Sequence, residues 1–304
     1  MNIDLATEPD TRASAAPAPR ERTRRPRRRP EQRRSRLMAW LAILVIGAFG
    51  VLPIYWLVIT SLTPDDQAFK IRPDLVPRAV TFEHFTRLAE NEQLFRYLVN
   101  SVIVSVITAV LSVLVSAYMA YSFSKFRYKG RRSLMNLVLA SQMFPQALLL
   151  VTLYAVFSSL GLLNTYIALV LSFTTFTLPL CVWMLKGIFD TIPDALIEAA
   201  AIDGASRWRT LHQVVLPLAA PGLVASGLFA FVRSWNDFIF ALTLTGSDKQ
   251  TLPPGLVHTY IGEFQTAWPD LMAASFVVSI PVVAAFMVLQ RYLVGGLAAG
   301  AVKG

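Results

Sequence analysis

The run Glu198-Ala199-Ala200-Ala201-Ile202-Asp203-Gly204 sets a carboxylate beside three small side chains and closes on a glycine. Nine residues later comes Val214-Val215-Leu216-Pro217. Small alanines on a helix let another surface approach closely, and Glu198 offers that surface one negative charge. Gly204 can fix a tight angle between two short elements. This is the chemistry of docking, not of bond breaking. The residues that could catalyse are poorly placed for it. His84, His212 and His258 are read as scattered across loops, with neither metal-ligand spacing nor a Ser or Cys nucleophile motif beside them. Cys181 is the only cysteine, so an intrachain disulfide and a cysteine-cluster metal site are excluded. There is no glycine-rich phosphate loop ending in Lys-Ser or Lys-Thr, so this chain is not expected to bind ATP in the usual way. No cofactor and no metal is expected on this one.

The elements around the docking run follow from its flanks. Thr191 is expected to cap a helix, with Pro193 in its first turn and Asp194 at the third position. Residues 195–203 are strong helix formers, and Gly204 permits the left-handed turn that ends them. Ser206 is placed to cap a second short helix over 207–215. Pro217 and Pro221 then stop that helix and start the next apolar run. The pattern over 189–221 is helix, glycine turn, helix.

The rest of the chain says where this pair must sit. Of 304 residues 55% are hydrophobic and 15% charged, and the apolar ones fall in long blocks, so lipid is the solvent. Six runs reach the roughly twenty residues that cross a bilayer as a helix. They cover 37–62, 98–123, 134–160, 166–185, 222–244 and 271–293. The first is too long for a signal-peptide core and is read as retained. Basic loops set the orientation. Residues 125–132 carry five positive charges and no acid. Lys186, Arg207, Arg209, Arg291 and Lys303 fall on the same side only if there are six spans, with both termini cytoplasmic. Residues 246–270, with one Lys and three acids, fall on the other side. Five or seven spans would break the alternation.

Residues 1–36 hold eleven Arg, five acids and five Pro, with few large apolar side chains. They form a basic arm expected to be disordered, and anionic lipid headgroups are its nearest partner. No folded nucleic-acid motif accompanies it, so nucleic acid is not expected as a partner.

Polar residues inside the spans are costly unless paired or wet. Gln142 and Gln146 lie four apart and are expected to share a helix face, with Pro145 kinking the helix between them. Thr174, Thr175 and Thr177 crowd the fourth span. Trp235, Asn236 and Asp237 lie in the fifth, and Asp237 is the one acid well inside a span. Gln142, Gln146, Thr175, Trp235, Asn236 and Asp237 are the candidates for lining a solute path. Interhelical packing is the equal alternative. On the outer loop, Tyr260, Phe264 and Trp268 mix aromatics with polar neighbours, as protein interfaces do, and a self-packed loop would look the same.

The run from Glu198 to Gly204, with Leu216-Pro217 at its spacing, closely resembles the EAA loop of binding-protein-dependent ATP-binding-cassette importers. Val214 stands where isoleucine is more usual. Residues 233–244, 251–256 and 289–304 are also similar to the shorter, six-span permease of maltose-type carbohydrate importers. The resemblance covers 37–304 and leaves the basic arm outside.

It implies an all-α membrane protein of six transmembrane helices with the type I importer permease fold. Residues 37–304 form the permease domain, with a cytoplasmic coupling loop at 189–221. Glu198, Ala199, Ala200, Asp203, Gly204, Leu216 and Pro217 would dock on an ATPase dimer that uses ATP and Mg. It further implies a second permease subunit, an external solute-binding protein that Tyr260, Phe264 and Trp268 would meet, and a tail at 295–304 reaching between the ATPase subunits. The solute would be a sugar, a disaccharide or oligosaccharide first, with glycerol phosphodiesters and polyols as alternatives. A self-sufficient secondary transporter is the rival class. It would show inverted repeats and buried coupling charges, whereas no internal repeat is seen and Asp237 is the one acid well inside a span. For the coupling loop itself, the rival is an amphipathic helix lying on lipid.

Overall fold

The computed structural model describes residues 30–68, 74–262 and 266–301, with side chains described over 38–68, 74–262 and 266–291. The basic arm up to residue 29, Phe264 and residues 302–304 lie outside the described residues. Among the described residues, those up to Leu52 fall in one unit and those from Pro53 onward in another. Among the described residues the regular structure is helical, apart from one isolated bridge between Ile261 and Thr266.

The helices in chain order are α1 (Pro30–Leu62), α2 (Asp65–Ala68), α3 (Glu83–Glu90), α4 (Glu92–Lys125), α5 (Arg131–Ala140), α6 (Gln146–Ser159) and α7 (Tyr166–Thr191). They continue with α8 (Asp194–Ile202), α9 (Arg207–Leu218), α10 (Ala220–Trp235), α11 (Ile239–Leu244), α12 (Leu252–Tyr260) and α13 (Trp268–Ala301). Segments within α1, α4, α7 and α13 are long and apolar enough to cross a membrane, and up to six spans result if each of two bent pairs is one span.

α4 and α7 pack side by side at the centre, and α10 lies against both. Small residues make this possible. Ser101, Ser105, Thr108, Ser112 and Ser116 recur every three or four positions along α4 and are all buried. That spacing puts them on one helix face. Small hydroxyl side chains let backbones approach where lipid gives no hydrophobic drive between helices. Ser112 Oγ meets Thr177 Oγ1 at 2.7 Å, tying α4 to α7. Apolar clusters fill the rest, three of them larger than the fourth around Phe123, Met135 and Val182. One gathers Val104, Leu169, Phe173, Phe240 and Leu244 in the middle. A second joins Leu94, Tyr97, Trp235 and Leu252 at one end of α4. The third, at the other end, joins Ala117, Ala120, Leu185, Phe189, Leu211 and Val215.

Two of the expected spans are not continuous. The third is split into α5 and α6, which bend by 96°. Phe144 ahead of Pro145 is extended, at φ −76° and ψ 130°, and Pro145 caps α6 in an extended conformation. The residue before a proline is biased out of the helical region, and here Phe144 takes the extended conformation, so the helix is broken at 144–145. The expectation that Gln142 and Gln146 share a helix face is therefore wrong, because Gln142 sits in the short 3-10 turn Ser141–Met143 and Gln146 starts the next helix. The fifth breaks at 236–238, between α10 and α11. There the Asp237 carboxylate accepts from the Phe240 and Ala241 backbone N–H groups at 3.0 and 3.3 Å, supplying partners that the interrupted ladder has lost.

Residues 246–262 are also tied to the bundle. They contain α12, and Ser101 Oγ accepts the Leu252 N–H at 2.7 Å. Asn100 Nδ2 donates to the Gln250 and Asp248 carbonyls, while its Oδ1 accepts from Tyr166 Oη at 2.6 Å.

Gly255 of α12 faces the Tyr97 ring so closely that a Cβ there would overlap ring carbons, whereas a Cβ at Gly187 of α7 would meet nothing within 4 Å. Gly255→Ala is expected to destabilise the protein by about 1–3 kcal/mol. Gly187→Ala should be near neutral. Thermal melting of both variants in detergent checks the contrast.

Candidate functional site

The helix pair α8–α9 is the most distinctive site. α8 has no buried residue: Glu198, Ala199 and Asp203 are exposed and Ala200 is half-buried. Ile202 is 86% exposed and Trp208 63%, large apolar surface for a short helix pair. Exposed apolar groups of this kind mark a contact surface. Gly204 has φ +79°, so the turn after α8 lies in the left-handed region that glycine enters without penalty. The Ala205 N–H reaches back to the Ala200 carbonyl at 2.9 Å. Ser206 caps α9 by accepting the Arg209 N–H at 3.3 Å.

α9 is anchored where α8 is not. Leu211 and Val215 are buried against Leu185 and Phe189 of α7 and Ala117 and Ala120 of α4. Trp208 stacks on Tyr118 of α4 with ring centroids 5.2 Å apart. His212 Nδ1 faces the Trp208 carbonyl at 2.9 Å, and a carbonyl only accepts, so Nδ1 carries the proton. His212 Nε2 then accepts from Tyr118 Oη at 3.1 Å. Leu211–Val215 form a π-helical turn ahead of Pro217. Pro217 has no N–H for the ladder, and the widened turn absorbs the change of register. Leu216 is half-buried on the anchored side and Pro217 is exposed. α9 then meets α10 at Ala219 with a bend of 80°.

Thr191 does not cap α8, contrary to expectation. It is the last residue of α7, and its hydroxyl donates back to the Ile188 carbonyl at 2.7 Å. Pro193 takes the cap position, and its ring presets the extended-to-helix entry. The start of α8 is held instead from α4. Lys125 Nζ donates to the Ile192 carbonyl at 2.6 Å and to Asp194 Oδ1 at 2.8 Å. That hydrogen bond and the ammonium charge hold the Asp194 carboxyl below the usual carboxylate range.

The path candidates divide. Gln146 and Asp237 line one small recess together with Phe173, Phe176, Thr177, Arg233 and Ser234. The breaks of the third and fifth spans thus meet against α7. Gln142 is near, its Nε2 donating to the Phe176 carbonyl at 2.9 Å. Asn236 is exposed, and its Nδ2 donates to the Val232 carbonyl. Thr175 is exposed, with its hydroxyl returned to Leu171 O. Trp235 is elsewhere: it is 3% exposed, packed with Leu94, Tyr97 and Leu252, so its ring presents no open face here. Of the outer aromatics, Trp268 is exposed and opens α13, while Tyr260 packs beside the Trp235 cluster. Burial, then the Asp270 charge, push the Tyr260 phenol up to about 12.

Two features escaped the sequence reading. Arg233 was passed over as the first letter of a motif. The histidines lie on helices, not loops, with His84 on α3, His212 on α9 and His258 on α12. His84 is 1% exposed, and its Nδ1 lies 3.0 Å from Asp270 Oδ1 and 3.0 Å from an Arg87 Nη. Its Nε2 donates to the Thr63 carbonyl at 3.0 Å. Arg87 bridges Asp270 Oδ2 at 3.1 Å and Asp65 Oδ2 at 2.8 Å. The ligand atoms of Asp65, His84 and Asp270 lie within 4.8 Å of one another and by donor type could hold a cation. The Arg87 guanidinium already bridges both carboxylates, so the group works as a clasp joining α2, α3 and α13. A spacing of 186 residues between His84 and Asp270 leaves no local signal in the sequence.

Comparison with known proteins places this geometry. Residues 112–298 match the family described as "Binding-protein-dependent transport system inner membrane component". The sulfoquinovosyl glycerol transport system permease protein SmoH of Agrobacterium fabrum is 35% identical over 269 residues, covering 88% of this chain and 94% of the relative. The trehalose transport system permease protein SugB of Mycobacterium tuberculosis is 34% identical over 274 residues, covering 90% and 99%. A chain of a bacterial ABC transporter involved in the import of the acidic polysaccharide alginate superposes with a TM-score of 0.77 at 21% identity, covering 87% of this chain and 98% of that one.

Two outcomes follow from the ion pairs. Because the folded Asp194 is held low, its support for the start of α8 is complete above the ordinary carboxylate range. That support is lost as pH falls through its lowered value. Amide protection over α8, taken relative to the intrinsic exchange rate at each pH, should therefore fall at acid pH, and Asp194→Asn should show the lower protection already at neutral pH. At the clasp, Asp270→Asn leaves His84 and Arg87 without their buried anion. With Asp270 9% and Arg87 41% exposed, solvent screening limits the expected loss to about 1–2 kcal/mol. Asp65→Asn, at 55% exposure, should cost less, and parallel melting curves decide it.

Proposed function

This chain belongs to the family of inner membrane components of binding-protein-dependent transport systems, and on that premise we propose that it is the permease subunit of an ATP-driven importer for a disaccharide or oligosaccharide. The relatives named for trehalose and for sulfoquinovosyl glycerol support a glycan-like solute. The observation that carries the mechanism is the asymmetry of α8–α9. One helix offers an exposed face of Glu198, Ala199, Ile202 and Asp203, and the other is built into the core through Leu211 and Val215.

In this reading α8 docks on an ATPase subunit. Glu198 meets a cation there, and the alanines allow close approach. Gly204 and the Ser206 cap keep α8 at a fixed angle to α9, so closure of the ATPase dimer moves α9 with α4, α7 and α10. ATP and Mg are used by that partner, and this chain binds no cofactor. The chain crosses the membrane six times with both termini in the cytoplasm. Residues 37–304 form the transport domain, 189–221 the coupling loop, and 1–36 a basic arm against anionic lipid. A second permease completes the path. Gln142, Gln146, Thr175, Asn236 and Asp237 line this chain's share of it, and Trp235 joins only if α10 turns. A solute-binding protein docks outside near Tyr260, Phe264 and Trp268.

Glu198→Arg combined with Gly204→Val tests the coupling. The valine adds left-handed strain of about 1–2 kcal/mol and the arginine repels a cationic socket. Energised uptake should fall at least about tenfold, with the ATPase recovered poorly on purification. Full uptake with normal recovery of the ATPase would reject the reading.

A further inference from the structure

Arg233 lies midway along 222–244, one turn before the break at 236–238, and its side chain is exposed. Among the described residues no carboxylate lies within ion-pairing distance of it. Asp237 feels its charge, but Asp237 Oδ1 is directed to the Phe240 and Ala241 N–H groups. A guanidinium at this depth is expensive against lipid and is kept where water or a polar partner reaches it. The recess it borders supplies that setting: Gln146, Thr177, Ser234 and Asp237 are its polar lining, and Phe173 and Phe176 its walls. The recess itself has room for about one water, at roughly 10 Å³, so a sugar would lie across its rim. Asn236, exposed beside Arg233, extends that rim.

We propose that Arg233 is a wet, solute-facing cation that sets the specificity of the path for acceptor-rich, non-cationic solutes. This rests on the permease reading above. A guanidinium has donors in a fixed fork and no acceptor. It takes paired hydroxyl oxygens or a carboxylate, and it repels an ammonium group. Its positive potential, focused between low-dielectric walls, acts on any ion entering the rim.

The single cysteine makes a direct test possible, because Cys181 is fully buried and silent to polar reagents. Asn236→Cys in the assembled transporter, in nucleotide-free membrane vesicles open to reagent on both sides, is treated with two thiosulfonates. One carries an ethylsulfonate group and the other an ethyltrimethylammonium group. Each rate is read on this chain by gel shift and divided by the reagent's rate with free 2-mercaptoethanol. The normalised anion-to-cation ratio is expected to be about tenfold or more. Adding Arg233→Lys should keep the ratio high, and adding Arg233→Gln should bring it near one. Gln146→Cys, on the same recess, carries the measurement if the Asn236 variant does not assemble. A ratio near one with Arg233 intact would show its charge cancelled by an acid of the second permease and overturn the proposal. So would absence of labelling by either reagent, which means a dry site. Neither result bears on docking at α8, which the Glu198 and Gly204 variants test separately.

Discussion

The burial of Leu211 and Val215 among Leu185, Phe189, Ala117 and Ala120 is the contact on which the rest of the structure depends. It makes α9 part of the same packed body as α4 and α7. Close-packed interiors transmit displacement because they do not compress. α8, by contrast, has nothing buried and is held at its ends: Lys125 grips its start, and Gly204 and Ser206 shape its exit. A force applied to the exposed face of Glu198 and Ile202 therefore passes through a short rigid elbow into the bundle.

The membrane-spanning part shows the same economy of means. α4 and α7 approach because one face of α4 is serine and threonine, and the apolar clusters fill above and below that seam. Where the spans break, polar groups are found to serve the break first. Asp237 supplies the acceptor for α11, and Gln142 reaches a carbonyl of α7. Yet the two breaks meet at one recess with Arg233 on its rim, so Asp237, which repairs backbone hydrogen bonding, also contributes to a polar surface there. The clasp of His84, Arg87, Asp65 and Asp270 fixes the segment after α1 to the start of the last long helix.

What could be read in the sequence was whatever depends on near neighbours. Gly204 announces a left-handed turn, Ser206 a cap, and the apolar runs a membrane protein, and these reappear in φ +79°, the Arg209 N–H contact and the long helices. Proline signalled trouble at 145, but not its extent. A kink and a 96° break differ in what distant elements offer, and the Phe176 carbonyl that the Gln142 side chain reaches is thirty-four residues away. Thr191 misled because Thr and Pro both suit a helix start, whereas α7 continues to Thr191, six residues beyond the expected end at 185. Trp235 looked available in a polar stretch until Tyr97 and Leu252, distant in sequence, covered it. The clasp around His84 is wholly long-range.

The central claim is that the exposed face of α8 receives work from a separate ATP-using subunit. A photoreactive benzoyl-phenylalanine in place of Ile202, the most exposed apolar residue of that helix, tests it most directly when irradiated in the intact complex within native membranes. The account predicts an adduct between this chain and the ATPase, with a yield that changes when nucleotide is added. Adducts to lipid alone, as for a helix lying on the bilayer surface, would contradict it.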